Sequence, residues 1–560
     1  MKVEKNSAGF WIVDTKEAPL HPSITKWYTK YKFRDQPEVV KGVLDFWPEL
    51  KEHIDYDYYD RWCKSLQGSD KIKNSNSDFK FWGHNFKVDP FSHQKRALRF
   101  LMSVPCAGLF MEPGTGKTLT TLLSIELRHK LGLSKKTLIL CPASIVYTSW
   151  YKDAINLTNL PTPHIIRSKK LRWFDPKTKT MARKWREGRP EFLKQNDHST
   201  IEDRLNSDDE VFICSIDLFS ANVETFKRFN FDTVVLDEST MVKNPSSKRL
   251  KNVIEVSRDS KYRIALTGTP LTGSIEDLWS QMKFIDNSIA DTIGSFRSEF
   301  MREHPAIPHV FIEKRGSRDR ILDMIENRVI FIKKEDCLDL PERLSLAREV
   351  EMPALIKKHF KEFYKDSLTV IKDDTVQADN PLTRLLRLQQ IANGYCTNKD
   401  GEMIYIEQSN KLREVKSIIE QLPETEKIII WANFREDFKA LEKTLKQYNP
   451  IIINGSTKDK DAADSLFAES KDHRILIAHP KSVKFGKTWN VAKTTIFYSY
   501  SASLEDYLQA RDRNYRIGQN SKVTEYFLIC STVEEMIYES LQNKQQIAIE
   551  VADFLRIDVG

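Results

Sequence analysis

The chain has 560 residues, 40% hydrophobic and 30% charged, with 87 Lys and Arg against 79 Asp and Glu for a net charge of +8. That length exceeds one hydrophobic core and implies three or four domain-sized units; the composition excludes a disordered chain, and no apolar run approaches the ~20 residues of a membrane span. The positive surplus favours a polyanionic partner. The opening MKVEKNSAGFWIVD carries acids and a broken apolar stretch, so no secretory leader is expected. The seven cysteines, at 63, 106, 141, 214, 337, 396 and 530, form no CxxC pair. This argues against zinc ribbons and a disulfide framework, and for buried thiols in a reducing compartment.

Residues 1–85 lack long apolar strands and mix aromatics with charges, which reads as a small accessory domain. Trp27, Tyr28, Tyr31 and Phe33 alternate with Lys26, Lys30 and Lys32, a pattern open to stacking on nucleic acid or to packing against a neighbouring domain. Lys71–Asp78 has linker composition. From Phe86 a Pro-containing loop precedes an amphipathic helix that starts near Gln94. An amide there offers a donor and an acceptor side by side, fitting an adenine edge or plain solvent.

Ala107 to Leu131 reads as a buried strand, a Gly-rich turn and a helix. Pro113, Gly114, Thr115 and Gly116 let the turn wrap its N–H groups around an anion, and Lys117 adds a charge. The helix then points its positive end at the same phosphates, with the Thr118 hydroxyl placed to ligate Mg²⁺. Met111 stands where the full GxxxxGK[ST] pattern has Gly.

Thr137–Cys141 and Val211–Ile216 read as further core strands. Between them, 167–194 is dense in Lys and Arg with interspersed aromatics, suited to a phosphodiester backbone or to a solvated loop. Asp232–Asp237 delivers Asp237 and Glu238 to a strand's carboxyl end, where α/β sheets hold ligands. One carboxylate suits the Mg²⁺ shell and its neighbour an attacking water. Tyr262–Leu266 runs into a hydroxyl-lined turn, Thr267-Gly268-Thr269-Pro270. Residues 271–421 read as mostly helical and charged. A second alternation follows, with strands expected at 427–432, 450–454, 474–478, 494–499 and 523–529 and no second phosphate loop. In QARDRNYRIGQ, from Gln509, helical spacing would put Arg513 and Arg516 on one face. Such a pair suits either a neighbour's nucleotide site or a surface salt-bridge helix.

In this order, FSHQ (91–94), MEPGTGKT (111–118), LILCPASIVYTSW (138–150), DESTMVKNPSSK (237–248), LTGTPLTGSIEDLWS (266–280) and QARDRNYRIGQ (509–519) resemble a superfamily 2 helicase-type motor. The likeness is greatest to the Swi/Snf branch of double-stranded-DNA translocases. It implies an α/β fold of two RecA-like lobes, parallel sheets flanked by helices. The expected divisions are an accessory domain at 1–85, an ATP-binding lobe at 86–285, a helical insertion or linker at 286–410, a second lobe at 411–535 and a helical brace at 536–560.

The resemblance further implies that Gln94 holds adenine, Lys117 the β- and γ-phosphates, Thr118 and Asp237 the Mg²⁺, and that Glu238 is the catalytic base. Thr267, Thr269 and Gly486 would couple nucleotide state to DNA. Gln509, Arg513 and Arg516 would reach the nucleotide from the second lobe, with Arg516 as the finger. Ser239-Thr240 replaces the family's Ala-His, so the link to the third motif is expected to be rewired. Lys481–Asn490 keeps only Gly486 of a Gly-rich segment, and Tyr515 replaces a His. The expectation is a monomeric, cytoplasmic, ATP- and Mg²⁺-dependent translocase on duplex or branched DNA, nuclear if eukaryotic, without zinc or membrane. The alternatives are a strand-separating helicase, an ATPase acting on RNA polymerase, and a nucleotide-gated binding module without turnover.

Overall fold

The computed structural model describes residues 84–166 and 200–554, apart from 209, 272, 287–288, 306–310, 338–339, 372–373, 379–380, 399, 484–488 and 517; before residue 84 it describes three strands and a few isolated positions. Trp27, Tyr28, the linker at 71–78, the basic insertion at 167–194 and Gly486 lie outside the described residues. The three strands, β1 (Lys2–Lys5), β2 (Phe10–Asp14) and β3 (Lys30–Arg34), pair antiparallel in sequence order and set Trp11 opposite Phe33. The chain divides into two compact units, one within Met1–Cys337 and one within Leu338–Ile549.

The first unit is built on a parallel sheet of β4 (Cys106–Met111), β5 (Thr137–Cys141), β6 (His164–Ile165), β7 (Val211–Ser215), β8 (Thr233–Asp237), β9 (Tyr262–Thr267) and β10 (Val329–Ile332). Their order across the sheet is β10-β4-β9-β8-β5-β7-β6. β4, β5 and β8 are buried at every position, as expected of runs without polar alternation covered on both faces. Each fully buried Leu, Ile or Phe there contributes about 1.5–3 kcal/mol. The register pairs Phe110 with Thr267 and Asp237 with Leu266, so the carboxyl ends of β4, β9 and β8 lie side by side. Helices α1 (Ser92–Ser103), α2 (Lys117–Lys130) and α3 (Glu276–Ile285) flank the sheet.

The stretch 286–410, read from sequence as helical, in fact supplies an edge strand to each sheet. β10 is a four-residue run, VIFI, too short for periodicity to separate strand from helix. It docks on β4 where a Cβ at Gly108 would come within 2.8 Å of Val329 Cγ1, so the close pairing depends on that glycine. β11 (Arg343–Glu349) plays the same part in the second unit.

That unit's parallel sheet runs β11-β16-β15-β12-β14-β13, with β12 (Lys427–Trp431), β13 (Ile451–Ile453), β14 (Ile475–Ala478), β15 (Ala492–Phe497) and β16 (Val523–Ile529). Phe497 and Phe527 stack across β15 and β16 with ring centroids 4.5 Å apart. Helices α4 (Asn410–Gln421), α5 (Arg435–Thr444), α6 (Leu504–Arg511) and α7 (Thr532–Phe554) accompany it.

A buried polar network joins α4, α5 and α7. Lys411 Nζ donates to Glu534 Oε1 at 2.7 Å and to Asn393 Oδ1 at 2.9 Å, while Asp437 accepts from Asn393, Tyr395 and Ser499. Burial opposes the Lys411 charge, but Glu534, with Cys530 and Asp437 nearby, holds the ammonium above its ordinary range. Burial likewise pushes the Asp437 carboxyl up. Lys411→Met strands the Glu534 carboxylate, so a loss of about 3–5 kcal/mol is expected in urea denaturation. Adding Glu534→Leu should recover most of it, and a double variant no more stable than the single one would contradict this account.

Candidate nucleotide site

The phosphate turn is shaped by two left-handed glycines, Gly114 at φ 90° and Gly116 at φ 91°, conformations that side chains rarely adopt. Gly116 caps α2 on its N-terminal side, so the first N–H groups of that helix are left for an anion. Lys117 Nζ donates to the carbonyl of Met111 at 2.7 Å, folding the ammonium back over the turn. Thr118 is half-buried, and its hydroxyl has no hydrogen-bond partner among the described residues. A triphosphate fits this arrangement of glycines, helix end and ammonium.

Underneath, α1 clamps the turn. The Thr115 carbonyl accepts from His93 Nε2 at 2.9 Å and from Gln94 Nε2 at 3.3 Å, and since a carbonyl only accepts, His93 carries its proton on Nε2. Burial lowers the His93 pKa, favouring the neutral ring. Gln94 is 4% exposed, and its Oε1 accepts from the Phe91 N–H at 3.0 Å. The structure thus gives Gln94 a supporting contact beneath the loop, which the adenine reading did not include. A Cβ at Gly116 would lie 2.0 Å from Gln94 Nε2. Gly116→Ala is therefore expected to cost about 1–3 kcal/mol in thermal unfolding and to raise the KM for ATP. Unchanged melting would show that the clamp yields.

Glu112 ties the same turn to β10. Its N–H donates to Ile332 O at 3.0 Å, and its Oε2 accepts from the Lys334 N–H at 2.7 Å.

Asp237 ends β8 at 5% exposure, with Oδ2 accepting from Trp150 Nε1 at 2.7 Å and Oδ1 from the Glu238 N–H at 2.9 Å. Burial raises its pKa, opposed by the Lys117 charge and these hydrogen bonds. Trp150 arrives on a π-helical turn, Val146–Tyr151, an irregularity frequent at functional sites. Trp150 falls within the 138–150 motif, but spacing along the chain offers no signal for its contact with a residue 87 positions away. Glu238 sits at φ 50°, ψ 59°, left-handed for a residue with a side chain, at a cost of about 1–3 kcal/mol. A hydroxyl at Thr118 and a carboxylate at Asp237 are hard oxygen donors that fit Mg²⁺.

In the threonine turn, the Thr267 hydroxyl accepts from the Thr269 N–H at 3.1 Å. A Cβ on Gly268 would lie 2.6 Å from Pro113 Cδ, so this turn rests directly on the phosphate turn. Strand order brings Lys117, Thr118, Asp237, Glu238, Thr267 and Thr269 to the carboxyl end of the sheet.

The second unit carries Gln509, Arg513 and Arg516, with one correction to the helical reading. α6 stops at Arg511, so the two arginines lie in the turns that follow it. Tertiary hydrogen bonds draw the chain off the helix. Asn514 Nδ2 donates to Thr495 Oγ1 at 2.9 Å, and Gln519 Nε2 to the carbonyls of Asn490 and Asn514 at 2.9 and 3.0 Å. Arg513 is 2% exposed, while half-buried Arg516 donates from Nε to Asp512 O at 2.9 Å. Tyr515, found where a His was expected, donates to Pro341 O at 2.8 Å beneath the Arg343 guanidinium. Gln509 Nε2 reaches Glu505 at 3.4 Å, and its Oε1 is buried without a donor among the described residues.

The SNF2-related domain matches residues 93–400, and the helicase conserved C-terminal domain matches 410–518. An uncharacterized ATP-dependent helicase of Mycoplasma genitalium is 25% identical over 347 residues, covering 60% of this chain and 32% of that protein. Putative protein p41 of Acyrthosiphon pisum secondary endosymbiont phage 1 is 23% identical over 481 residues, covering 82% and 96% respectively. The chain thus spans about a third of the Mycoplasma protein and nearly all of the phage one. The solved structure of the Sulfolobus solfataricus SWI2/SNF2 ATPase core in complex with dsDNA is 23% identical, with a TM-score of 0.39 over 84% of this chain and 94% of that one. Because a single family pattern takes in residues 93–400, more than half of its length, the chain belongs to the SNF2-related family, a Swi/Snf-like member of the superfamily 2 helicase-type proteins.

Proposed function

We propose that the chain is a DNA-dependent ATPase that translocates on duplex or branched DNA in a cytoplasmic setting. The observation that carries this is the meeting of Lys117 and Thr118 with Asp237 and Glu238 at the carboxyl end of the sheet, created by the β4-β9-β8 order. In this reading Lys117 and the N–H groups of the turn hold the β- and γ-phosphates, and Thr118 and Asp237 hold Mg²⁺. The bound metal supplies neutralisation of phosphate charge. Glu238 orients a water and takes its proton, its left-handed backbone aiming the carboxylate while Trp150 restrains Asp237.

Gln509, Arg513 and Arg516 contribute from the second unit, Arg516 stabilising charge on the departing phosphoryl group. The Oε1 of Gln509, buried without a donor among the described residues, supports a ligand-facing role for that segment. Support for ATP comes also from the Mycoplasma relative, whose name is ATP-dependent helicase. Support for DNA comes from the family's branch and the +8 charge.

The test is an ATPase titration against single-stranded, duplex and forked DNA and against RNA at two salt concentrations, because phosphate contacts weaken with salt. Stimulation by duplex or forked DNA, with triplex displacement and little duplex unwinding, is expected. Preferential stimulation by RNA, or no turnover with any polynucleotide, overturns the reading.

A further inference from the structure

Gln281 lies on α3, outside every motif quoted above, and is fully buried. Its Nε2 donates to the carbonyl of Pro270, in the threonine turn, at 2.7 Å and to that of Asp277 at 2.9 Å. Two carbonyls at one end fix the orientation of the amide, since only the NH₂ group can serve them. Its Oε1 therefore faces the other way, where it accepts from the hydroxyl of Ser239 at 2.6 Å. Ser239 is itself fully buried and follows Glu238 directly. A second tie runs beside the first, from Ser280 Oγ to Lys243 O at 2.7 Å.

These contacts close a ring. The phosphate turn touches the threonine turn where Pro113 meets Gly268. The threonine turn reaches α3 through Pro270 and Gln281, and α3 reaches the acidic turn through Ser239. The acidic turn returns to the threonine turn where Asp237, at the end of β8, pairs with Leu266 of β9. Gln281 is the member whose one amide grips two catalytic turns at once, and every polar end of it is used. A buried amide in that position resists any displacement of one turn without the other, because a broken partner would be left unsatisfied.

We propose that Gln281 and Ser239 form a positioning relay that sets the Glu238 carboxylate according to the state of the threonine turn. Ser239 holds the exit of the left-handed Glu238, and Gln281 joins that exit to Pro270. The proposal rests on the reading of the chain as a DNA-stimulated ATPase. Neither residue touches nucleotide in it; both act through Glu238.

The experiment uses the full chain with Gln281→Met, Ser239→Ala and Ser239→Thr, measuring kcat and KM for ATP with and without saturating duplex DNA, beside a melting curve. Gln281→Met keeps the length of the side chain without its donors; Ser239→Thr keeps the hydroxyl. In Gln281→Met and Ser239→Ala the ratio of stimulated to basal kcat is expected to fall about fivefold or more. The KM for ATP should stay within about twofold, the signature of a loss confined to the turnover step. Ser239→Thr should restore the ratio, and the double variant Ser239→Ala/Gln281→Met should be no worse than the more affected single one.

Unchanged ratios in both single variants overturn the relay. So do basal and stimulated rates that fall in parallel with a rising KM, or a Ser239→Thr variant as impaired as Ser239→Ala. Should Gln281→Met fail to fold, the Ser239 pair decides alone. A wild-type chain stimulated by DNA beside variants that keep its ratio removes only the relay; a wild-type chain that consumes no ATP removes the functional reading as well.

Discussion

Glu238→Gln is expected to lower kcat for ATP by about 10²–10⁴-fold, the usual contribution of a positioned general base. The amide keeps the shape of the side chain, so the KM for ATP and the melting temperature should stay close to those of the wild type. Glu238→Gly sharpens the test, because the backbone at φ 50° is strained for any residue with a Cβ. That variant should be equally inactive and yet more stable by about 1 kcal/mol in denaturant titrations. An active Glu238→Gln enzyme would sink the assignment of the base, and a destabilised Glu238→Gly would show that the left-handed turn carries no strain.

Lys117→Ala is expected to reduce turnover by about 10²–10³-fold or more, as for removal of a single donor from a developing anionic charge. Nucleotide binding should weaken as well, because in the proposed reading this ammonium would act on ground-state phosphates as much as on the transition state. The side chain is half-buried, and among the described residues its hydrogen bond goes to the Met111 carbonyl. The fold should therefore survive, with melting within a few degrees of the wild type. A fluorescent nucleotide titration beside the ATPase assay separates the two effects. Full ATP affinity in Lys117→Ala would place the triphosphate elsewhere.

Much of this architecture is legible in the sequence. The strands at 106–111, 137–141, 211–215, 233–237 and 262–267 were readable because a strand covered on both faces needs an unbroken apolar run. The phosphate turn was readable because only glycine turns cheaply at positive φ, as Gly114 and Gly116 do. The edge strands β10 and β11 escaped notice. A four-residue VIFI and a half-exposed RLSLARE carry no distinguishing period, and only a partner strand makes them sheet. The helical spacing assumed for Arg513 and Arg516 failed for a related reason: hydrogen bonds from Asn514 and Gln519 to distant chain end α6 at Arg511.

Local sequence by itself determined the kind of chemistry, since an anion-binding turn, a pair of acids and a hydroxyl turn are each specified within a few neighbouring residues. Only the tertiary structure decided how they work together. It brought Trp150 to Asp237, His93 and Gln94 beneath Thr115, and Gln281 between Ser239 and Pro270. The physical reason is that a buried hydrogen bond between distant positions leaves no pattern along the chain; it exists only where strand order and helix packing place a donor within reach of an acceptor cut off from water.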